Sequence, residues 1–332
     1  MSDFVIVPGP VVDEILAGSR ATTREIVRRA YVDHERGRSV NPDSYFLRFP
    51  DKPDSRVIAL PCYLGADVDR IGLKWISSFP GNVRSGMPRA SGVLLLNDYT
   101  TGRPIACLEA AGISAARTAA SVAEVAETLL ERAASKTVAF VGAGVIARTI
   151  VDHMSAGHEF AEVRVHDLDD YSAGRLAEYV GRAWGTAVEQ CTLDRALTSD
   201  CVIFATTVAR PYVPADAPVF PGQVLMNVSL RDLPPELLLR CDNIVDDVDH
   251  CLKADTSPHL AERLTGSRDF VTGTIGSLLE GRLELDPERP TVVSPFGLGI
   301  LDVAVGNHVL DEARRRGEAI VIPGFIGTER RW

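Results

Sequence analysis

Two patterns of hydrophobic and polar residues divide the chain, and each is typical of a different kind of domain. Before residue 110, short apolar stretches alternate with clusters of Pro, Gly, Asp and Asn, which is typical of a meandering β-sheet. After residue 136, short apolar stretches alternate with helical periodicity, as a parallel sheet requires. The predicted strands are 44–49, 56–60, 71–79, 92–97 and 105–109 in the first pattern, and 137–141, 162–167, 201–206, 224–229, 243–246 and 291–294 in the second.

Helical periodicity accompanies both patterns. Apolar residues recur at helical spacing from Pro10 to Gly18 and from Thr22 to Gly37, and Thr22 or Thr23 is the expected N-cap of the second helix. A long alanine-rich helix is predicted from Gly112 to Leu130, and another from about Val145 to Ala156.

The end of the chain does not continue the second pattern. A helix from about Leu298 to Arg316 and a strand at 319–323 follow the last strand of the parallel sheet and have no place in it. We expect them to return to the N-terminal sheet. The sequence therefore predicts a discontinuous first domain, 1–118 plus 305–332, with a second domain, 119–304, inserted in it.

The inserted domain opens with a strand, a glycine turn and a helix in Lys136-Thr-Val-Ala-Phe-Val-Gly-Ala-Gly-Val-Ile-Ala-Arg148. Gly142, Gly144 and Ala147 occupy the small positions of the G-x-G-x-x-G/A pattern, in which glycine allows a sharp turn and leaves room for a pyrophosphate. The free N–H groups of a helix opening near Val145 and Ile146 would hold the phosphates. The pattern predicts a Rossmann-type dinucleotide-binding domain, although glycine turns also join strands and helices that bind no nucleotide.

The second strand of this domain supports the nucleotide interpretation. It ends in Asp167, which follows Ala147 by 20 positions (167 − 147 = 20). The fold places at this point the carboxylate that holds the ribose hydroxyls of adenosine. Since a carboxylate repels a 2′-phosphate, NAD(H) is favoured as the cofactor, and Arg164 and His166 nearby leave NADP(H) as the less favoured alternative.

Further cofactor contacts are expected at the start of the inserted domain and where its other strands end. The candidates are Thr118, Thr206, Thr207, Ser229 and Gly297. Gly297 lies in a glycine-rich turn, 294–299, that would close over a nicotinamide ring. A plain connection between a strand and a helix explains this turn equally well.

Charged residues in apolar surroundings are the candidates for chemistry. Lys74 lies inside the apolar strand Gly72-Leu-Lys-Trp-Ile76, where a lysine is costly unless it has an anionic partner, and the alternative is an edge strand with Lys74 facing water. Arg117 projects from the alanine-rich helix, where we expect its guanidinium to fork onto a carboxylate. Arg56 is the first residue of an apolar strand. An ion pair within the protein explains a charged residue at this position as well as substrate binding does.

Asp232 follows strand 224–229 and is expected at the carboxyl edge of the parallel sheet, on the side of a nicotinamide ring. The alternative is that Asp232 caps a helix from Pro234 to Arg240.

Composition excludes several other classes of protein. The 332 residues, 45% hydrophobic and 24% charged, suit a soluble chain of two domains, and a net charge of −10 argues against nucleic-acid or anionic-membrane partners. The six cysteines are scattered without metal-ligand spacing, so we expect reduced core residues and no metal site. Neither a secretory leader nor a stretch of about 18 apolar residues is visible, so the cytoplasm is the expected compartment.

The motifs together resemble the ornithine cyclodeaminase/μ-crystallin family over nearly the whole chain. The residues that carry the resemblance are Gly72-Leu-Lys-Trp75, Arg89-Ala-Ser-Gly-Val-Leu-Leu-Leu-Asn-Asp98, Ile113-Ser-Ala-Ala-Arg-Thr-Ala-Ala120, Val141-Gly-Ala-Gly-Val-Ile-Ala147 and Asp232. The resemblance implies an NAD(P)-binding Rossmann domain inserted in a discontinuous α+β domain that binds substrate and forms a homodimer. It also implies that Arg56, Lys74 and Arg117 contact substrate carboxylates and that Asp232 is the catalytic acid.

One stretch departs from the ornithine-type pattern. Around the acid this chain has Ser229-Leu-Arg-Asp-Leu-Pro-Pro235, where family members that act on ornithine usually carry a Gly-Ala-Asp-x-Pro-Gly-Lys-like stretch. Four stretches are instead similar to the branch of 2,3-diaminopropionate biosynthesis. They are Asn41-Pro-Asp-Ser-Tyr-Phe-Leu-Arg-Phe-Pro50, Lys74-Trp-Ile-Ser-Ser-Phe-Pro-Gly-Asn82, Asn227-Val-Ser-Leu-Arg-Asp232 and Ser294-Pro-Phe-Gly-Leu-Gly-Ile-Leu-Asp302.

That branch consists of N-(2-amino-2-carboxyethyl)-L-glutamate dehydrogenases of siderophore and peptide-antibiotic pathways. The similarity implies NAD-dependent oxidation of a CH–NH bond in an amino-acid adduct. For this chemistry we assign Asp232 as the base and Lys74 as the partner of a substrate carboxylate or of the water that attacks the imine, although the two roles could be exchanged. Arg231 is a possible extra contact to a substrate with three carboxylates. The alternatives are an ornithine cyclodeaminase, a ketimine or alanine-type dehydrogenase, and a crystallin-like nucleotide-binding protein without turnover.

Overall fold

The computed structural model describes residues 3–130, 136–154 and 160–327. The chain forms two compact units: the split unit, 1–117 and 298–332, and the inserted unit, 118–297. The strands are β1 Phe4–Val7, β2 Ser39–Val40, β3 Tyr45–Phe49, β4 Lys52–Leu64, β5 Arg70–Ser78, β6 Ala90–Asp98, β7 Pro104–Glu109, β8 Thr137–Val141, β9 Glu162–His166, β10 Val188–Gln190, β11 Cys201–Phe204, β12 Val224–Asn227, β13 Asp242–Val245, β14 Val271–Thr274, β15 Thr291–Ser294 and β16 Ile320–Ile322. The helices are α1 Gly9–Gly18, α2 Arg20–Glu35, α3 Ala111–Leu130, α4 Val145–Met154, α5 Asp170–Trp184, α6 Leu193–Ala196, α7 Pro235–Leu238, α8 Val248–Cys251, α9 Ser257–Thr265, α10 Ile275–Leu279 and α11 Gly299–Arg316, with a short 3-10 helix at Pro80–Ser85.

The split unit contains a mixed sheet in the order β16-β1-β7-β6-β5-β4-β2, with β3 paired to β4. Strands β4 to β7 form an antiparallel meander, as the sequence pattern predicts. Strand β1, which the pattern did not reveal, lies parallel to β7, and β16 pairs antiparallel with β1 so that Phe4 faces Ile322. The last strand therefore returns to the N-terminal sheet, as expected.

Helix α11 covers one face of this sheet, where it packs against β4, β5 and β6 as well as α1 and α2. Glycine is required where helix and sheet meet. A Cβ atom on Gly72 would lie 2.3 Å from Val303 Cγ2, and one on Gly306 would lie 2.2 Å from Leu94 Cδ2. Because the whole helix packs on this sheet, the split unit resumes at Leu298, seven residues before the boundary expected from sequence (305 − 298 = 7).

The second helix begins earlier than predicted. Helix α2 starts at Arg20, and the Thr23 N–H already donates to the carbonyl oxygen of Ser19 at 2.8 Å. The predicted N-cap at Thr22 or Thr23 is therefore wrong. Ser19 alone separates α1 from α2, and its hydroxyl donates to the carbonyl oxygen of Ile15 at 2.7 Å, which closes the first helix.

The inserted unit contains a parallel sheet in the order β10-β9-β8-β11-β12-β15-β13-β14. The predicted strands are present, and the two edge strands, β10 and β14, are additional to them. Strands β11, β12 and β13 are fully buried, which is why they appear in the sequence as short continuous apolar runs. The strand order changes direction at β8, between β9 and β11, and open parallel sheets bind ligands at the carboxyl ends of strands at such a point.

Candidate functional site

The glycine turn after β8 has the geometry of a nucleotide cradle. Gly142 has φ +97°, which favours glycine, and a Cβ atom there would lie 2.7 Å from the carbonyl oxygen of Ala205. Its N–H donates to the carbonyl oxygen of His166 at 2.8 Å. The turn therefore passes between the carboxyl ends of β9 and β11, and only glycine fits at its first position.

The next positions of the turn are open on one side and packed on the other. A Cβ atom on Gly144 would meet nothing within 4 Å, and Val145, the first residue of α4, is 73% exposed although it is apolar. Ala147 is fully buried, as the third small position of the pattern requires. The first N–H groups of α4, around Val145 and Ile146, have no carbonyl within their own helix to receive them, so the open side suits an anionic ligand.

The Asp167 carboxylate is hydrogen-bonded to this turn. Its Oδ2 accepts a hydrogen bond from the Ala143 N–H at 2.7 Å, and its Oδ1 accepts one from the Asp169 N–H at 2.9 Å. Arg164, named as a residue that could hold a 2′-phosphate, is buried and donates to Glu162 at 2.6 Å and to Ser199 at 3.0 Å. The carboxylate is thus at the turn, while the nearby guanidinium is engaged by side chains of the protein.

Asp232 is fully buried in the inserted unit and is surrounded by hydroxyl groups. Thr206 Oγ1 donates to its Oδ1 at 2.6 Å, and Ser229 Oγ donates to its Oδ2. Burial raises the pKa of Asp232, while hydrogen bonds from Thr206 and Tyr212 act to lower it. The capping alternative is wrong, because α7 begins at Pro235 after Pro234, with no side-chain cap.

Tyr212 was not identified from the sequence. Its N–H donates to the carbonyl oxygen of Asp232 at 3.2 Å. Burial raises the pKa of the Tyr212 phenol well above its usual range, and the charge and hydrogen bond of Asp232 raise it further. Thr207, the other predicted hydroxyl after β11, is exposed.

The glycine-rich turn at 294–299 is hydrogen-bonded to a second buried carboxylate, that of Asp246. Gly297 has φ +101°, and its N–H donates to Asp246 Oδ2 at 2.6 Å. Burial raises the pKa of Asp246 to about 6, against the lowering effect of the backbone N–H groups bound to it. Asp246 was not singled out in the sequence. Thr118, the first residue of the inserted unit, is half-buried on α3.

In the split unit, Lys74 lies at the centre of an ionic cluster. It is 2% exposed on β5, which has β4 and β6 on either side, so the edge-strand alternative is wrong. Its Nζ donates to Asp302 Oδ2 at 2.7 Å and to Ser114 Oγ at 3.1 Å. Arg117 Nε lies 3.4 Å from Asp302 Oδ1, so this one fully buried carboxylate faces two cations.

The pKa of Lys74 is lower than that of an ordinary lysine. Burial lowers the pKa of Lys74, Asp302 raises it and Arg117 lowers it, and the net result is a pKa of about 8. A lysine with this pKa is partly neutral near pH 8, so it can act as an acid or a base as well as a cation.

The other two predicted substrate contacts lie elsewhere. Arg56 is half-buried on β4, opposite Ser78 of β5. Arg231 is in the inserted unit, where its Nη2 donates to the carbonyl oxygen of Ala254 at 2.6 Å. Lys74 and Arg117 are thus the predicted cations that one carboxylate brings together.

The sequence contains a signal for Asp302, which was not among the predicted site residues. Asp302 is the acidic residue in the apolar run Gly299-Ile-Leu-Asp-Val-Ala-Val305, just as Lys74 is the basic residue in an apolar strand. Two opposite charges in two buried segments predict an ion pair, since either charge alone would be costly to bury. Tyr212 and Asp246 lie in ordinary polar surroundings and offered no comparable signal.

Within 3–130, 136–154 and 160–327, no group of three or more His, Cys, Asp or Glu side chains is arranged to hold a metal ion. In the same part of the chain, every helix is too short or too polar to cross a membrane. The six cysteines are free thiols, four of them buried.

Solved structures share this fold. The structure of Thermococcus litoralis Δ1-pyrroline-2-carboxylate reductase in complex with NADH and L-proline matches with a TM-score of 0.87 at 23% identity, over 96% of this chain and 100% of that one. An archaeal alanine dehydrogenase dimer with bound NAD matches with a TM-score of 0.86 at 24% identity, over 97% of this chain and 100% of that one. A Rossmann-type domain inserted in an α+β domain is therefore the fold of this chain.

Curated relatives cover most of the chain. Nodulation efficiency protein NfeD of Rhizobium meliloti is 28% identical over 309 residues, 91% of this chain and 93% of the relative. N-((2S)-2-amino-2-carboxyethyl)-L-glutamate dehydrogenase of Staphylococcus aureus is 28% identical over 273 residues, 79% and 80% of the two chains. Alanine dehydrogenase of Archaeoglobus fulgidus is 27% identical over 296 residues, 86% and 88% of the two chains. The model of the ornithine cyclodeaminase/mu-crystallin family matches residues 14–317, and the chain belongs to that family.

Proposed function

We propose that this protein is an NAD-dependent oxidoreductase that cleaves N-(2-amino-2-carboxyethyl)-L-glutamate to L-2,3-diaminopropionate and 2-oxoglutarate. In this reaction the glutamyl carbon loses a hydride and the amine nitrogen a proton, which gives an imine. Water then adds to the imine carbon and the C–N bond breaks. The Staphylococcus aureus relative carries the name of this activity, and four unusual stretches of the chain resemble the same branch of the family.

The observation that carries the proposal is the buried pair of cations around Asp302. Lys74 and Arg117 both contact that one carboxylate, and cations of this kind are the side chains that bind substrate carboxylates. A substrate with three carboxylates needs several cationic contacts, and Arg56 on the neighbouring strand is a third candidate. Arg231 is a weaker candidate for a substrate contact, because one of its N–H groups already donates to the carbonyl oxygen of Ala254.

The residues of the inserted unit fit a dinucleotide. Gly142 fits its place only as glycine, Gly144 leaves open space, and the start of α4 is exposed. We assign the pyrophosphate to the N–H groups around Val145 and Ile146, and the adenosine ribose to Asp167. Thr118, Thr206, Thr207, Ser229 and Gly297 remain the other proposed contacts. When bound, NAD+ supplies the acceptor for the hydride.

Asp232 is the proposed base. A carboxylate whose pKa is raised by burial accepts a proton near neutral pH more readily than an ordinary aspartate. Hydroxyl groups of Thr206 and Ser229 hold it in one orientation. We assign to Asp232 the proton that the substrate amine loses before hydride transfer.

Lys74 is the proposed partner of a substrate carboxylate or of the water that attacks the imine. With a pKa of about 8 it can bind an anion while protonated and activate water while neutral. The roles of Asp232 and Lys74 are separable by experiment, because only one of them should set the pH dependence of hydride transfer.

The test is product analysis with purified protein, NAD+ and the glutamate adduct. We expect NADH, 2-oxoglutarate and L-2,3-diaminopropionate in equal amounts. L-Alanine and L-ornithine in place of the adduct separate the proposal from an alanine-type dehydrogenase and a cyclodeaminase. NADH formed from alanine but not from the adduct would overturn the proposed substrate. NADH binding without turnover of any amino acid tested would indicate a crystallin-like protein.

A further inference from the structure

Backbone strain is concentrated close to Asp232. In the described residues, the non-glycine residues with positive φ are Ala66, Asp69, Leu230, Ala254 and Asp255. Leu230, at φ +70°, is buried and lies two positions before Asp232, while Ala254 and Asp255 have φ of +56° and +55°. The left-handed region is unfavourable for residues with a Cβ atom, so three such residues need contacts that hold them there.

These strained residues belong to two segments that bind each other. The carbonyl oxygen of Leu230 accepts hydrogen bonds from the Ser257 N–H at 2.7 Å and from Ser257 Oγ at 3.0 Å. Arg231 Nη2 donates to the carbonyl oxygen of Ala254 at 2.6 Å. Ser257 is fully buried as the first residue of α9, so its hydroxyl is fixed in place.

The left-handed turn determines how the chain leaves β12. The Leu230 N–H donates to the carbonyl oxygen of Asn227 at 3.2 Å, which closes a turn directly after the strand. The chain then presents Asp232 to the hydroxyls of Thr206 and Ser229. With Leu230 in the extended region, the peptide after it would be rotated and these contacts to Asp232 would be lost.

We propose that the left-handed turn at Leu230, held by Ser257 and Arg231, is a device that positions the Asp232 carboxylate. Leu230, Ser257 and Arg231 are then positioning residues, and this role of Arg231, through the backbone of 254–257, replaces its weaker candidacy as a substrate contact. This inference rests on the proposed role of Asp232 as the proton acceptor.

Two substitutions at Leu230 separate conformation from packing. Leu230→Gly removes the whole buried side chain but adopts φ +70° freely, whereas Leu230→Val keeps most of the apolar volume but disfavours that φ. A positioning role predicts that Leu230→Val loses at least about tenfold more kcat than Leu230→Gly, because small displacements of a reacting group cost up to about 100-fold in rate. The apparent pKa in the kcat profile should also shift in the Val variant, with NADH affinity kept.

A packing role predicts the reverse order, since glycine removes more buried surface than valine. The inference is overturned if Leu230→Val retains more kcat than Leu230→Gly, or if the two variants have equal kcat. If the Val variant does not fold, Ser257→Ala and Ser257→Thr replace the pair. Only the Thr variant keeps the hydroxyl donor, so Ser257→Ala should have the lower kcat, and equal kcat in these two variants overturns the inference.

Arg231→Ala adds an independent measurement. As a positioning residue it should lower kcat with little change in KM, whereas a substrate contact should raise KM by tenfold or more. Asp232→Asn is measured beside these variants. If Asp232→Asn keeps its turnover, the proposed base is wrong. If it loses turnover while Leu230→Val keeps it, only the positioning role is wrong.

Discussion

Asp232 shows how the surroundings of one residue decide its chemistry. Asp232→Asn keeps the shape of the side chain and removes the proton acceptor, so we expect kcat to fall by about 10²–10⁴. NADH affinity, measured by fluorescence titration, should stay the same because the turn at Gly142 is untouched. Near-normal turnover in a correctly folded variant would refute the assignment, and capping of α7 is no longer an explanation for such a result, since Pro234 occupies its N-cap position.

Asp167 is the residue that should set the choice of cofactor. We expect wild-type protein to bind NAD+ more tightly than NADP+, and Asp167→Ser to narrow the difference by removing the charge that repels a 2′-phosphate. Dissociation constants for both nucleotides measure the effect. Asp169→Ser is the matched control, because the Asp169 side chain caps α5 through the Ser172 N–H, whereas the Asp167 side chain accepts from the Ala143 N–H of the glycine turn. Tighter binding of NADP+ by the wild type would show that the ribose assignment is wrong.

Lys74 makes stability depend on pH in a definite direction. Its pKa is about 8 in the folded protein and about 10.5 when unfolded, so between these values the unfolded state binds more protons. The contribution of Lys74 to the free energy of unfolding is therefore fully present above pH 10.5 and is lost as the pH falls through 8. Urea unfolding at several pH values should show the free energy of unfolding rising over this window in the wild type relative to Lys74→Met. Parallel curves for the two proteins would contradict the lowered pKa.

At the scale of the elements, the junction of β8 and α4 depends on glycine for two reasons. Gly142 combines positive φ with a close approach to Ala205, so Gly142→Ala should lower stability by about 1–3 kcal/mol and weaken NADH binding at least tenfold. Gly185→Ala is the control, because Gly185 also has positive φ, +66°, but a Cβ atom there meets nothing within 4 Å. Thermal unfolding and NADH titration measure both effects. Equal NADH affinity in the two variants would argue against a nucleotide at this turn.

The elements that sequence predicted are those whose signal is local. Apolar periodicity located the central strands and long helices, and glycine spacing located the turn at Gly142. Strands β10 and β14 are short and lie at the edges of the sheet, where few residues are buried and the pattern fades. The start of α2 was misplaced because Ser19 ends one helix and precedes the next, and a threonine nearby carried the usual capping signal.

The candidate site was predictable only in part for a related reason. Lys74 could be recognised as a buried cation, but its partner, Asp302, lies 228 positions away and is chosen by tertiary packing. The strained turn at Leu230 leaves no trace in the sequence, since leucine rarely adopts positive φ. Local patterns therefore identify which residues need partners, while the partners themselves follow from the packing of α11 and α9.

At the scale of the whole molecule, the face of the split-unit sheet opposite α11 carries exposed apolar side chains. On β5, buried Lys74 is followed by Trp75, which is 43% exposed, and Trp75 faces Val93 of β6, which is 37% exposed. Ile6 on β1 is similarly exposed. A surface of this kind is typical of a protein–protein interface, and we propose that a second copy of the chain covers it, in agreement with the homodimer that the family resemblance implies.

Trp75→Arg tests that interface. It places a charge on the apolar face without touching the buried side of β5, so we expect the dimer to dissociate at micromolar concentration, as measured by light scattering after gel filtration. Tyr171→Arg is the control, because Tyr171 is also aromatic and exposed but lies on α5 of the inserted unit. A dimer in both variants, or a monomeric wild type, would contradict the proposed interface.

The divided path of the chain has a consequence for synthesis on the ribosome. Strands β1 to β7 of the split-unit sheet are encoded before residue 110, but α11, which covers one face of that sheet, begins 182 positions after Arg117 (299 − 117 = 182). Since synthesis adds about 5–20 residues per second, the strands remain uncovered for roughly 10–40 s before that helix is made. The inserted unit is complete earlier, at Gly297, and can fold first. A nascent chain therefore carries a completed nucleotide-binding unit while the strands of the split unit are still exposed to chaperones and aggregation.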